Sequence, residues 1–113
     1  MTAIHLVERV DNVRKTDKSK NEWETGNWAV AEETAQKLIG STLYLHRAKL
    51  QPSHFGGTIL GFRVIEESAP DAGRVVFKLR ADADCKGVKT DGKGWSKDHK
   101  IFWDAALPVT SDA

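Results

Sequence analysis

The sequence predicts one α+β domain, built either as a small, partly open β-barrel or as a curved, mostly antiparallel sheet of about five or six strands with one short helix. Three observations support this class. The chain of 113 residues is 40% hydrophobic, which supplies one core rather than two. Segments with a two-residue alternation recur along the chain, and one segment has helical spacing. Closing the strands into a barrel would remove exposed sheet edges.

The N-terminal quarter has weak periodicity. Residues 4–13 alternate imperfectly, which predicts an edge strand or an N-terminal arm. Residues 14–27 are polar apart from Trp23 and cannot bury themselves, so we expect a long loop there. Loops of that length in compact domains are usually functional or disordered.

We expect residues 105–113 to form a loose C-terminal tail.

A helix is predicted from Glu32 to Ile39, because Ala35, Leu38 and Ile39 fall on one helical face. Acidic residues in its first turn and a lysine near its end complement the helix dipole. Gly40 is placed to end the helix in the left-handed conformation.

The strands that follow alternate more clearly. Residues 42–46 predict one strand, and residues 58–65, with apolar side chains on both faces, predict a central strand. Residues 74–80 alternate cleanly after a turn that contains Pro70, so the two segments predict a hairpin. Residues 100–103 predict a last strand.

This order of elements carries a family resemblance. The segments behind it are 38–40 (LIG), 43–46 (LYLH) and 57–62 (GTILGF), which span the helix end, a strand and a glycine-containing strand. The pattern resembles PUA-like domains, the superfamily that includes the ASCH and EVE modules. The resemblance implies a small barrel that binds RNA or a modified nucleobase.

The first candidate binding segment is the loop predicted at residues 47–57. Arg47 and Lys49 could neutralise phosphate, while His54 or Phe55 could stack on a base. The paired glycines at 56–57 would let backbone N–H groups approach a ligand closely. The alternative is a plain strand connection with Phe55 against the core.

The second candidate segment is lysine-rich and spans residues 86–100, with Trp95 among the cations. Lys93, Trp95 and Lys97 have the composition of a surface for single-stranded nucleic acid. The alternative is a solvated lysine loop. Trp23 also has polar neighbours and could pair with Trp95 to clamp a flat base, or each ring could plug its own loop. Of the two further tryptophans, Trp103 is expected in the core and Trp28 in the core or half-buried.

Composition narrows the function classes. The formal charge of +1 gives no overall electrostatic indication of a nucleic-acid or membrane partner. The single cysteine excludes an intrachain disulfide. Without an apolar run of ~20 residues or a signal-like start, we expect a cytoplasmic protein without a membrane partner. Catalytic signatures are missing, and no cofactor or metal is predicted. The potential ligands His46, His54, Cys85 and His99 have no metal-site spacing.

We therefore expect a binding module rather than an enzyme, with RNA or a modified nucleobase as its ligand. The predicted site residues are Arg47, Lys49, His54, Phe55, Lys93, Trp95 and Lys97. The runner-up is a protein-interaction or inhibitory module, able to form a homodimer through an exposed strand edge. A third hypothesis is a small-molecule enzyme that uses His46 or His54 in a barrel mouth.

Overall fold

Seven strands form one mixed sheet, with a single short α-helix against it. The structure is a computed structural model and describes residues 2–8, 13–66, 69–90, 93–95 and 98–103. The elements are β1 (Ala3–Val7), β2 (Val13–Asp17), β3 (Glu22–Trp28), α1 (Glu32–Leu38), β4 (Thr42–His46), β5 (Ser53–Val64), β6 (Val75–Ala81) and β7 (His99–Phe102). A 3-10 turn, Ala83–Cys85, lies between β6 and β7.

The sheet order is β2-β3-β6-β5-β4-β1-β7. Strand β1 runs parallel to β4, and every other neighbouring pair is antiparallel. The predicted α+β class with a mostly antiparallel sheet is confirmed. The barrel and the PUA-like fold are wrong, because no strand ladder of the described residues joins the edge strand β2 to the edge strand β7.

The core lies on one face of this sheet. Alternate residues of the central strands point into it, and Ala35 and Leu38 of α1 cover it from the side of β5. Its fully buried side chains include Phe77, Ile4, Leu6, Leu43, Leu45, Ile59 and Leu79. Each fully buried aliphatic or aromatic side chain contributes about 1.5–3 kcal/mol by leaving water.

The N-terminal strand is not at an edge. All five residues of β1 are buried, and the strand lies between β4 and β7. The imperfect alternation that predicted an edge strand or an arm comes from His5, a polar residue that is only 4% exposed. Its ring is buried by aromatic neighbours on the face opposite Ile4 and Leu6.

The predicted long loop at 14–27 is also wrong, because these residues form the β2–β3 hairpin. The carboxylate of Asp17 accepts hydrogen bonds from the backbone N–H groups of Ser19 and Lys20, which shapes the turn. The central residues of β2 are exposed and charged or polar, as is usual for a protected edge strand. Buried Glu22 of β3 is paired with Lys78 and Arg80 of β6.

Other elements match the sequence more closely. The helix and β4 are confirmed, and Gly40 has the positive φ of 89° expected after α1. The β5–β6 hairpin is confirmed, but β5 starts at Ser53 rather than Thr58. Trp28 is buried as expected, whereas Trp103 is 49% exposed because it follows the last residue of the edge strand β7. The predicted tail at 105–113 lies outside the described residues.

Candidate functional site

Backbone contacts bring the two candidate segments side by side at the start of β5. Ser53 N–H donates to the carbonyl oxygen of Val88 (2.8 Å), and Gly87 N–H donates to that of Ser53 (2.7 Å). The Ser53 hydroxyl donates to the carbonyl of Cys85 and accepts from Val88 N–H. The lysine-rich segment is therefore fixed against the end of the sheet, and the two segments share a surface.

Side chains from the two segments also meet. The Lys49 ammonium lies 6.0 Å from the ring centroid of Trp95, which is half-buried. The same indole packs edge-on against the ring of His46, with centroids 5.9 Å apart. Arg47 and Lys93 are exposed. Lys97, the last predicted site residue, lies outside the described residues.

Phe55 lies on the core face of the sheet, opposite to the face that carries Trp95. It is paired with Leu45 across the β4–β5 ladder and packs on the core cluster, whereas His46, the next residue along β4, carries Trp95. The register of the β4–β5 ladder shifts between Leu45 and His46. Leu45 lies opposite Phe55 and His46 lies opposite Ser53, so His54 is the extra residue of a bulge in β5. The predicted site residues that the structure describes therefore divide into two groups: the first contains Arg47, Lys49, Lys93 and Trp95, and the second contains His54 and Phe55.

The paired glycines serve strand packing. A Cβ atom on Gly56 would meet the carbonyl oxygen of Leu43 and the side chain of Cys85. A Cβ atom on Gly57 would meet the carbonyl of Arg80. Both glycines are buried inside β5, so the expectation that they open backbone N–H groups to a ligand is wrong.

Lys49 and Trp95, from the first group, belong to a set of packed polar and aromatic residues that we name the outer cluster. It consists of His5, Tyr44, His46, Lys49, Trp95, Lys100 and Phe102. The His5 ring stacks on Tyr44 (centroids 4.7 Å apart) and meets Phe102 edge-on. This cluster covers the non-core face of β4, β1 and β7.

Two buried histidines at its centre are hydrogen-bonded to each other. His5 Nδ1 and His46 Nε2 are 2.8 Å apart, and His46 Nδ1 is 2.8 Å from the carbonyl oxygen of Gln51. Because a carbonyl only accepts, His46 Nδ1 carries a proton. In the neutral pair His46 Nε2 then accepts from Nδ1–H of His5. The chain of bonds fixes the residues that follow β4.

Burial lowers the pKa of His5 from 6.5 to about 4, and positive charge on His46 and Lys100 acts in the same direction. His5 is therefore neutral at neutral pH. Lys100 is itself 5% exposed; its ammonium donates to the Thr90 hydroxyl (2.7 Å) and lies 4.7 Å from the Phe102 ring centroid. A buried ammonium beside His5 disfavours a second positive charge there.

The second group lines a cavity that we name the end pocket. Its lining residues are Glu8, Val13, Trp23, His54, Phe55 and Lys86, and its volume is about 230 Å³. The rings of Trp23 and Phe55 are 5.0 Å apart at an interplanar angle of 65°. Glu8 is 1% exposed, and its Oε2 and the Nε2 atom of His54 are both shielded from solvent. The pocket thus combines apolar walls with a carboxylate, an imidazole and an exposed lysine at its rim.

Several residues of these two regions were missed by sequence reasoning. His5 and Glu8 lie in a segment without a motif, and only the tertiary fold places them beside His46 and His54 respectively. For Trp23 the sequence left two alternatives, an exposed pair with Trp95 or a ring that plugs its own loop. The structure has its ring packed on Phe55, in line with the general tendency of large rings to bury.

Comparison with protein-family models, with curated protein sequences and with solved structures gives no match. Function therefore has to be inferred from the two regions themselves. Within the described part of the chain, no three His, Cys, Asp or Glu side chains converge as a metal site would require. Nor does that part contain a helix with the length and apolar character needed to cross a bilayer.

Proposed function

We propose that this chain is a non-enzymatic module that binds single-stranded RNA or a modified nucleobase. The observation that carries the proposal is the Lys49 ammonium over the Trp95 ring, at the junction of the two candidate segments. A half-buried indole offers a face on which a base can stack, and the adjacent cation can reach the phosphate of the same nucleotide. Such sites bind without strict sequence selectivity.

The charges around Trp95 support this ligand. Lys86, Lys89 and Lys93 are exposed along the segment that leads from the end pocket to Trp95, and Arg47 is exposed where β4 ends. Lysines act as point charges that attract phosphate without a demand on geometry. The near-neutral total charge of +1 is compatible with this, because attraction depends on the local patch.

The test is fluorescence anisotropy of a labelled single-stranded RNA oligonucleotide, titrated with the protein at several salt concentrations. We expect binding that weakens with salt, with a slope in log affinity that falls by about 0.7 for each phosphate-binding lysine removed. Lys49→Ala and Lys93→Ala should each lower the slope, and Trp95→Ala should weaken binding by about 1–3 kcal/mol. Lys37→Ala, which removes an exposed lysine of α1, is the matched control.

Binding that does not depend on salt, or that is equal in the Trp95→Ala and wild-type proteins, would contradict the proposal. So would the absence of binding to any single-stranded oligonucleotide. Circular dichroism of each variant separates a lost contact from a lost fold.

A small-molecule enzyme is the second candidate, since His54 and the carboxylate-bearing Glu8 line one pocket. A carboxylate that orients an imidazole is the arrangement of a general base. Under this alternative, turnover of a small substrate would be abolished by His54→Gln. RNA affinity would be the same in the Trp95→Ala variant and in the wild type.

The runner-up prediction, an interaction module that dimerises through a strand edge, keeps one supporting feature. Strand β7 is an edge of the sheet, and Phe102 and Trp103 are 46% and 49% exposed there. Sedimentation equilibrium separates the alternatives, because an edge dimer predicts a mass of twice the 12.5 kDa chain, which Phe102→Lys would halve.

A further inference from the structure

A groove with cationic sides crosses the non-core face of the sheet, at a distance along the sheet from the outer cluster. Two adjoining cavities of about 180 and 280 Å³ form it, and they share Glu24, Arg63 and Val76 as lining residues. We name this feature the arginine groove; its other lining residues are Arg14, Gly26, Asn27, Gly61, Phe62 and Lys78.

Strand pairing explains why these side chains converge. Arg14 of β2 lies opposite Glu24 of β3, and Glu24 lies opposite Lys78 of β6. Arg63 of β5 lies opposite Val76 of β6. Residues that are paired across neighbouring strands point to the same face of a sheet. Four neighbouring strands therefore hold the arginine groove in place.

The Glu24 carboxylate positions two guanidinium groups at once. Its Oε1 accepts a hydrogen bond from Arg14 Nη2 (3.1 Å), and Arg63 donates to the two oxygens through Nη2 and Nε (3.3 and 3.5 Å). A guanidinium group has five N–H donors. In the described part of the chain these contacts are the hydrogen bonds of both arginine side chains, so each keeps donors for a ligand.

The charges of the groove favour an anion. Its described lining residues include three cations, Arg14, Arg63 and Lys78, and one carboxylate, that of Glu24, which gives a net charge of +2. The sum stays positive when Glu22 is included, which bridges Lys78 from beside the groove at 3.2 Å. The side chains of Arg14 and Arg63 are 71% and 54% exposed, so a solute can reach them.

We propose that the arginine groove binds a phosphate group. A phosphate group offers three strong acceptor oxygens, which can accept from both guanidinium groups together, whereas a single guanidinium fork already satisfies a planar carboxylate. Because Glu24 holds both arginines, binding orders few side chains. The same carboxylate repels an anion, so we expect a dissociation constant of about 1 mM. This site goes beyond the proposed function, since it does not include Trp95.

The experiment is a nuclear magnetic resonance titration of the full chain with inorganic phosphate, followed by the Nε–H signals of the arginines. Ionic strength is held constant with sodium chloride, and the pH is mildly acidic so that these protons exchange slowly. We expect the signals of Arg14 and Arg63 to shift with one shared dissociation constant. The signal of Arg80, which lies on the same face but does not line the groove, should stay in place.

Acetate tests the class of ligand. It carries a planar carboxylate, so it should bind at least about tenfold more weakly than phosphate. Equal affinity for the two anions overturns the proposal. So does a shift of the Arg80 signal as large as that of Arg63, or the absence of any shift with phosphate.

A matched pair of variants separates the guanidinium fork from charge alone. Arg63→Lys keeps the positive charge and removes the fork, so phosphate affinity, read from the Arg14 signal, should fall about tenfold. Arg80→Lys makes the same exchange outside the groove and should leave the affinity unchanged. Both side chains are more than half exposed, so we expect both variants to fold. Unchanged phosphate affinity in Arg63→Lys contradicts the proposal.

Titration with single-stranded RNA identifies the source of the phosphate group. If RNA supplies it, RNA shifts the Arg63 signal and Arg63→Lys weakens RNA binding; if the ligand is a free phosphate, RNA does neither. Trp95→Ala should keep its phosphate affinity, so loss of the proposed function leaves this inference standing. If RNA binds with the expected salt dependence while inorganic phosphate moves neither arginine signal, this inference fails alone.

Discussion

The outer cluster and the end pocket lie on opposite faces of the sheet beside the same short stretch of β5, yet they are built differently. In the outer cluster the polar atoms pair with one another, as His5 with His46 and Lys100 with Thr90. The end pocket keeps a cavity between its side chains. The comparison teaches that the buried histidines support a surface, whereas the pocket has room for a ligand of its own.

Both regions lie beside β5, so a substitution that disrupts this strand should affect both of them. The substitution with the largest expected effect is Gly57→Ala. The new methyl group would collide with the backbone carbonyl of Arg80, which cannot move without opening the β5–β6 ladder. We expect a loss of about 3 kcal/mol or more in the free energy of unfolding, at or above the upper end for overpacked sites. Urea unfolding followed by circular dichroism measures it, and RNA binding should be lost as well.

Gly61→Ala is the matched control, because a Cβ atom at Gly61 of the same strand meets nothing within 4 Å. Its effect should lie within about 1 kcal/mol of zero. Equal destabilisation by the two substitutions would show that Gly57 is not a point of close approach, and that the two regions do not depend on it.

The second-largest expected effect is a pH dependence of the free energy of unfolding, which arises from His5 in the outer cluster and not from the end pocket. The folded pKa of His5, about 4, lies below the value of 6.5 in the unfolded chain, so the unfolded state takes up the proton first. The contribution of neutral His5 is complete above pH 6.5 and is lost as the pH falls toward 4. The free energy of unfolding should fall with a slope of up to about 1.4 kcal/mol per pH unit from this one group.

His5→Asn keeps an N–H donor near the position of Nδ1 and removes the titration, so its slope between pH 6.5 and 4 should be shallower. A residual slope is expected, since burial also lowers the pKa of His99, although the charge of Asp98 opposes this. Urea unfolding at intervals of half a pH unit measures both proteins. Identical slopes would mean that His5 is not held neutral by the outer cluster.

The smallest effect comes from the surface away from both regions. The Glu24 carboxylate is 3.1 Å from Arg14 and 3.3 Å from Arg63. Partial burial raises the pKa of Glu24, but hydrogen bonds from the two arginines outweigh it and the net shift is downward. Glu24→Gln should cost at most about 1 kcal/mol at pH 7, as exposed ion pairs usually do. A cost equal to that of Gly57→Ala would overturn the ranking.

Sequence patterns predicted the elements whose periodicity is local and clean. Gly40 ended the helix as expected, and the alternation of Val75, Phe77 and Leu79 placed β6 correctly. The β2–β3 hairpin escaped because an edge strand with charged, exposed residues reads as a loop. The sequence predicted an open sheet and a barrel as alternatives and could not decide between them, because closure depends on how far the whole sheet curls.

The candidate site was predicted only in part, because composition is local and the placement of side chains is not. Composition singled out both segments that supply Lys49 and Trp95, since each has cations near an aromatic residue, and the fold brings these two side chains together. The separation of Phe55 from Trp95 depends on the alternation of β4 and β5, and the start of β5 was placed five residues too late. Glu8 became relevant only through the parallel pairing of β1 with β4, which a sequence pattern does not encode.

The central claim, that single-stranded RNA stacks on Trp95, is tested most directly by the indole N–H signals of the four tryptophans in a nuclear magnetic resonance titration. The titrant is a single-stranded RNA oligonucleotide. We predict that the signal of Trp95 shifts, while that of Trp28, buried and hydrogen-bonded to Thr25, stays in place. If only Trp103 shifts, or if no indole signal moves, the claim is contradicted.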